Sequence, residues 1–345
     1  VYDQPDAARP VSRRVPTALG VLPADAPTDR RGLAFWLTSA DNPLTARVAV
    51  NRLWERFFGI GLVKTSEDFG LQGEWPSHPE LLDYLAVEFR ESGWDVRHLT
   101  RLILTSAAYR RSSGTRIDLS EIDPENRLLA SFPRRRLTAE QLRDQALAVS
   151  GLLVEKLGGP SVKPPQPDGL WQEVSMPASN TRVYDPGTGD DLYRRSVYTY
   201  WKRAVPPPSM SALDAPTRES CTVRRAPTNT PLQSLVLWNE EQYVESARVL
   251  AARTLHESPG ASDAQHAERL FRRVTARAPE AAEVEALLRA LNDFRAGFRQ
   301  DPLDAARLNR VGTSPPPADI DAAELASWTM IASAVMNLHE TVTQR

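Results

Sequence analysis

The sequence predicts a mainly α fold: two helical halves joined by a long, ordered, irregular segment with at most a short strand pair. Three observations carry this prediction. Helix-start signatures precede apolar residues at helical spacing on both sides of the chain's middle. Prolines crowd residues 160–229, and there the helical spacing vanishes. That same middle is rich in aromatic residues, which disordered segments lack.

Taken in order, residues 1–31 are rich in Pro, Ala, Arg and Asp without hydrophobic period and read as a linker or lead-in. The remainder, 32–345, reads as one domain, with helical halves at 32–159 and 230–345 around the irregular 160–229. Asn42-Pro43 starts a helix that runs through Val48, Asn51, Arg52 and Trp54 to Gly59. Ser77-His78-Pro79-Glu80 reads as a capping box ahead of Leu81, Leu82, Leu85 and Phe89. A third helix places Leu99, Leu102, Ile103 and Ala107 on one face. Thr138 to Gln141 is a second box, with Leu137 and Leu142 as its hydrophobic staple, and its helix is expected to end at Gly158-Gly159.

Within the irregular middle, Val197 to Trp201 has strand composition. Helices resume at Thr230-Pro231, then over about 240–255, 264–275 and 280–298. Residues 301–319 read as a loop. A last helix opens with Asp321 and Glu324 as a box and carries Trp328, Ile331 and Val335 inward. The buried amides of Asn51 and of Asn229 with Gln233 are expected to tie the halves to the loop.

Composition narrows the function classes. Hydrophobic residues at 41% and charged residues at 25% are those of an ordered globular chain. No run is long and apolar enough for a membrane span, and Cys221, the sole cysteine, allows no disulfide framework. A net charge of −2 gives no overall bias toward nucleic acid, and no nucleic-acid partner is expected. The sequence starts at Val1 without a signal peptide and reads as an excerpt or a processed product. Nucleophile elbow, phosphate-loop and dinucleotide motifs are absent.

The chemistry-bearing stretch is Leu192 to Pro231. It holds Arg194, Arg195, Lys202, Arg203, Arg218, Arg224 and Arg225 against Asp214 and Glu219, a local surplus of five positive charges. Tyr198, Tyr200 and Trp201 are interleaved. Guanidinium forks grip sulfate, phosphate or carboxylate, and aromatic faces stack on sugar rings, so an anion- or glycan-binding surface is one reading. The other is that these arginines pair with the acids of the helical halves and pin the loop. Arginine is the default cation here, lysines being only Lys64, Lys156, Lys163 and Lys202.

Secondary candidates are Arg135 and Arg136, basic residues ahead of a helix start, and the carboxylates Glu140 and Asp144. His78 sits at a helix start near Glu80 and Asp83, where a hydrogen-bonding cap competes with a base or ligand role. Its spacing to other histidines fits no metal motif, so no metal site is expected. Cys221, without a histidine nearby in sequence, is expected to be a packed thiol.

Several stretches also carry a family resemblance. They are Ala40-Asp41-Asn42-Pro43-Leu44-Thr45-Ala46-Arg47, Val50-Asn51-Arg52-Leu53-Trp54, Asp68-Phe69-Gly70 and Pro76-Ser77-His78-Pro79-Glu80-Leu81-Leu82-Asp83. Arg135-Arg136-Leu137-Thr138-Ala139-Glu140 follows, then Tyr193-Arg194-Arg195-Ser196-Val197-Tyr198-Thr199-Tyr200-Trp201, and finally Arg224-Arg225 with Thr228-Asn229-Thr230-Pro231-Leu232-Gln233. Together these resemble the planctomycete-type domain of unknown function 1553, from about Gly32 onward. The resemblance implies a module of exported, multidomain proteins, hence a periplasmic or otherwise extracytoplasmic setting. It also implies frequent association with an upstream cytochrome c-like domain and with polysaccharide-degradation genes, and no established activity. The haem motif Cys-x-x-Cys-His is absent here, so no cofactor is expected in this chain and haem only in an upstream domain. His339 stands where the family usually has an aspartate.

Three functional expectations follow. The first is a module binding an anionic partner, an acidic or sulfated glycan or a sibling domain, through the Arg/aromatic loop. The second is an extracytoplasmic enzyme, a carbohydrate-active oxidoreductase coupled to an upstream cytochrome, with Arg195, Tyr198, Arg225 and Glu140 or Asp144 in one pocket. The third is a purely structural scaffold.

Overall fold

The computed structural model describes residues 14–114, 116–119 and 121–344. The chain divides into two compact units, one up to Arg134 and one over Arg135–Gln344. Residues 1–13 of the lead-in expected at 1–31 lie outside the described residues; the described part holds a 3₁₀ turn over Thr17–Leu19 and the first residues of a helix that starts at Arg30.

The first unit holds α1 (Arg30–Thr38), which lies against α2 (Thr45–Phe58), and α2, α3 (Pro79–Glu91) and α4 (Val96–Thr105) pack around one core. Asp29 caps α1, accepting from the Arg31 amide at 2.8 Å. Asn42 Oδ1 accepts from the amides of Leu44 and Thr45 at 3.0 Å, but the helix starts at Thr45 with Leu44 at its cap position, so Pro43 lies ahead of the first turn rather than in it. Val50, Trp54 and Phe58 of α2 meet Leu82, Leu85 and Phe89 of α3 and Leu99 and Ile103 of α4, all buried. Asn51 is fully buried, and its amide exchanges hydrogen bonds with the Val63 backbone at 2.8 and 3.0 Å. It therefore fixes a turn of its own unit rather than the central loop. The box expected at Ser77 does not form. The Ser77 amide and hydroxyl both donate to the Leu62 carbonyl, and His78 becomes the cap residue of α3. Ala107 lies past the end of α4.

In the second unit, α5 (Ala139–Ser150), α6 (Leu170–Val174), α7 (Pro208–Ala212), α8 (Pro231–Asn239) and α9 (Glu241–His256) precede the last four helices. These are α10 (Asp263–Thr275), α11 (Ala281–Gln300), α12 (Pro302–Asn309) and α13 (Ala322–Met336). The strands β1 (Arg135–Arg136) and β2 (Thr343–Gln344) form one antiparallel pair, Arg135 opposite Gln344. The fold is thus mainly α with a short strand pair, as the sequence predicts. Helix α9 is buried along most of its length and packs with α10, α11 and α13 through Leu250, Ala251, Leu270, Phe271, Leu291, Trp328 and Ile331. A second cluster joins Leu142 and Ala146 of α5 to Met210, Leu237, Tyr243 and Val342.

The Thr138–Gln141 capping box is present in both directions. Its helix stops at Gly151, not at Gly158-Gly159, because Gly151 (φ 89°) turns left-handed and returns its amide to the Leu147 and Ala148 carbonyls. Residues 301–319, expected as a loop, contain α12, capped by Asp301 with Pro302 in its first turn. Asp321 caps α13 through the Glu324 amide, but the Glu324 carboxylate turns to Arg295 and the Trp328 indole instead of closing the box.

Val197–Trp201 does not make a strand. Ser196–Tyr198 is a 3₁₀ turn, and only single bridges join Val154 to Arg194 and Val162 to Thr199. The facing segment carries Pro160, Pro164 and Pro165, which donate nothing to a ladder.

Candidate functional site

The irregular segment of the second unit is held by a buried polar clasp. Arg143 follows Leu142 on the inner face of α5 and is 6% exposed. Its Nε donates to Gln242 Oε1 at 2.7 Å, Nη2 to Leu192 O at 2.9 Å, and Nη1 to Arg194 O at 2.9 Å and Ser196 Oγ at 3.2 Å. Gln242 Nε2 donates to the same Leu192 oxygen at 2.8 Å. Asp144 accepts from the Ser196 amide at 2.7 Å. Helices α5 and α9 therefore both hold residues 192–196, and burial pulls the Arg143 pKa down.

A second lock lies along α9. Glu245, 1% exposed, accepts from the Tyr193 hydroxyl at 2.8 Å and from the Thr313 and Ser314 amides at 2.8 and 2.6 Å. Burial pushes the Tyr193 phenol up, opposed by the Thr313 hydrogen bond.

Against this frame the predicted loop cations separate by burial. Arg194 is 2% exposed, and its guanidinium donates to the carbonyls of Lys156, Gly158 and Pro160 while lying 3.9 Å from the Tyr198 ring centroid. The Tyr198 hydroxyl accepts from the Gly158 amide at 2.8 Å. Both side chains shape the 156–160 turn. Arg225 makes a two-pronged pair with Glu140 at 2.7 and 2.9 Å. Burial pushes the Glu140 carboxyl up, and the Arg225 and backbone hydrogen bonds outweigh it, leaving that carboxyl below its usual range. Arg136 donates to Asn229 at 3.2 Å; burial lowers its pKa, with Asp214 opposing. Arg135 reaches across the strand pair to Gln344.

The outer cations are different. Arg195, 54% exposed, lies 3.5 Å from Asp144, and Arg203, 70% exposed, lies 3.3 Å from Glu219. Arg218 stacks 4.4 Å from the Trp201 ring centroid, and the Trp201 indole donates to Thr217 O at 3.1 Å. Arg224 is exposed and also partnered. Tyr200 turns inward toward Trp171, with ring centroids 5.8 Å apart. Trp201, Arg203, Arg218 and Glu219 thus form one patch, which can hold an oxyanion beside an aromatic face.

Asn229 accepts from Arg136, while Gln233 is buried and donates to Asp214 and to the Thr228 hydroxyl. Gln233 thus ties α8 to the loop as expected of a buried amide, whereas Asn229 is exposed and joins the end of the loop to β1 instead. His78 belongs to the first unit, its Nδ1 3.0 Å from Ser77 Oγ. Cys221 is exposed rather than packed, because the whole stretch 217–224 faces solvent. Among the described residues no group of three His, Cys, Asp or Glu side chains is placed to hold a metal ion, and no helix is long and apolar enough to cross a membrane.

Sequence reasoning missed Arg143 and Glu245. A signal existed for the first: Arg143 stands four residues after Ala139 and three before Ala146, inside the apolar stripe.

A family model described as "Protein of unknown function (DUF1553)" matches residues 29–291. No curated protein and no solved structure matches the chain.

Proposed function

The chain belongs to the DUF1553 family, and we propose that it is a binding module whose clasped loop presents the Trp201–Arg203–Arg218 patch to an anionic partner. The partner is an acidic or sulfated glycan, or an acidic face of a sibling domain such as an upstream cytochrome c-like domain, in an extracytoplasmic setting. One observation carries this reading: Arg203 and Arg218 stay at the surface, one beside a solvated carboxylate and one on an indole face. Exposed pairs of this kind contribute roughly 0–1 kcal/mol, so an incoming anion displaces little. Arg194, by contrast, is committed inside, and the half-buried Arg225 is committed to Glu140.

The scaffold reading is favoured by the clasp itself, which uses most of the loop's buried polar groups internally. The enzyme reading needs Arg195, Tyr198 and Arg225 to face one pocket with Glu140 or Asp144. Here Arg225 grips Glu140, Arg195 lies against Asp144 and Tyr198 closes on Gly158.

The test is retention on an immobilised sulfated polysaccharide in a salt gradient. Arg203→Ala with Arg218→Ala is expected to elute at clearly lower salt than the parent, with neither retained on an uncharged polysaccharide. Elution of parent and variant at the same salt refutes the patch.

A further inference from the structure

Lysine is rare in this chain: Lys64, Lys156, Lys163 and Lys202 stand among 42 basic residues. Two of the four meet at one indole. Lys163 Nζ lies 5.7 Å from the ring centroids of Trp171, Tyr184 and Tyr200, and Lys202 Nζ lies 4.4 Å from that of Trp171. Tyr184 and Tyr200 close on Trp171 with centroids 4.9 and 5.8 Å away. The backbone enforces this convergence. Val162 bridges Thr199, the Gly187 amide donates to Lys163 O at 2.8 Å, and the Tyr184 hydroxyl donates to Pro164 O.

Two features of the cage lack a counterpart. Lys202 is satisfied by neutral oxygens, Ser175 Oγ at 2.8 Å and Thr181 O at 2.7 Å. Lys163 has no hydrogen-bond acceptor among the described residues, and neither ammonium has a carboxylate within ion-pair distance among them. Trp171 is 2% exposed, and its Nε1 is a buried donor with no acceptor. A buried donor left unmade is costly, and two half-buried cations on one ring repel each other. An aromatic box attracts a cation, but here the chain's own lysine occupies it, so the outstanding need is for negative charge. The choice of residue agrees. Where this chain grips a carboxylate in two prongs it uses arginine, as in Arg225 with Glu140. A compact ammonium among three rings instead offers a point charge to a small visitor.

We propose that Lys163, Trp171, Tyr184, Tyr200 and Lys202 form a second ligand site, which takes one small oxyanion, a carboxylate or sulfate group, either free or borne on a sugar. The Lys163 ammonium and the Trp171 N–H donate to the oxyanion, Lys202 adds charge from the other contact with the indole, and the tyrosine rings keep water from competing. The site uses neither Arg203 nor Arg218 and does not depend on the surface patch.

The experiment follows the indole N–H resonance of Trp171 in the full chain, assigned by its loss in Trp171→Phe. Sodium sulfate, sodium glucuronate and glucose 6-sulfate are titrated against sodium chloride at equal ionic strength. The three oxyanion probes are expected to move that resonance downfield and saturably, while chloride leaves it in place. Tighter saturation by glucose 6-sulfate than by sulfate identifies a sugar-borne group; equal saturation identifies the free anion. Lys163→Met is expected to weaken binding about tenfold or more, the loss of one charged hydrogen bond. Lys202→Gln weakens it less, and Arg203→Ala with Arg218→Ala leaves it unchanged. The remaining indole resonances report whether each variant is folded, and Lys202→Gln stands in if Lys163→Met is not. A Trp171 resonance that ignores all three oxyanion probes, or moves equally in parent and folded lysine variants, overturns the proposal.

Discussion

Replacing Arg143 by methionine tests the clasp on which the loop's geometry depends. The guanidinium serves four oxygens, those of Leu192, Arg194, Ser196 and Gln242. Leu192 O keeps a donor in Gln242 Nε2, and the Ser196 hydroxyl is free to turn. Arg194 O and the Gln242 oxygen are left buried without Arg143. Each orphaned acceptor costs about 1–3 kcal/mol, so the loss is about 2–6 kcal/mol. Against it stands the desolvation of the cation itself, whose removal returns about 1–4 kcal/mol. The midpoints of those ranges leave a net destabilisation of about 1–2 kcal/mol, read as a lower urea midpoint of the second unit together with faster proteolysis near residues 192–200. The double variant Arg143→Met, Gln242→Met removes the Gln242 acceptor but also takes the last donor from Leu192 O, so it is expected to be no more stable than the single variant. A single variant within about 0.5 kcal/mol of the parent, with unchanged proteolysis, shows that the clasp does not hold the loop.

Gly312→Ala is expected to lose about 2 kcal/mol or more, since φ there is +89° and a Cβ would lie 2.4 Å from the Glu245 carboxyl carbon; thermal unfolding checks it, and an unshifted midpoint refutes the Glu245 lock. Glu240 gives a pH prediction. Burial pushes its carboxyl up from 4.5 to about 7, against its backbone hydrogen bonds and Arg143. The folded state then holds a proton that the unfolded state has released, so this contribution is full below about pH 4.5 and fades as pH rises through 7. Glu240→Gln keeps the cap acceptor for the Gln242 and Tyr243 amides. It is therefore expected to flatten stability against pH over that window, and a variant curve parallel to the parent's contradicts the buried, proton-holding carboxyl.

Local chemistry made the helix starts readable. Thr138 and Gln141 complete their box within one turn, so neighbouring residues suffice to specify it. Ser77 failed because its hydroxyl had a competing acceptor, Leu62 O, that sequence spacing does not reveal. Helix α12 was hidden because its buried face consists of Ala305 and Asn309 while Leu303 is 69% exposed, so the apolar period is nearly blank. The strand expected at Val197–Trp201 had suitable residues but a partner segment interrupted by prolines, and composition reports nothing of the partner. For the site, the surplus of positive charge was legible, whereas its allocation was not. Arg225 finds Glu140 from 85 residues away, and Arg143 finds Arg194 O from 51.

That allocation has a physical cause. A guanidinium carries five donors in a plane, so one buried arginine satisfies several backbone oxygens at a turn that forms no ladder. Arg194 does this for Lys156, Gly158 and Pro160, and Arg143 for Leu192 and Arg194. A proline-rich segment leaves many carbonyls without amide partners, so it draws arginines inward as structural donors. Counting arginines in such a segment therefore overstates the charge available at the surface. Lysine, with three donors on a compact head, reaches fewer oxygens: Lys202 serves only Ser175 Oγ and Thr181 O. In a chain that braces itself with arginine, two lysines converging on one buried indole depart from that pattern.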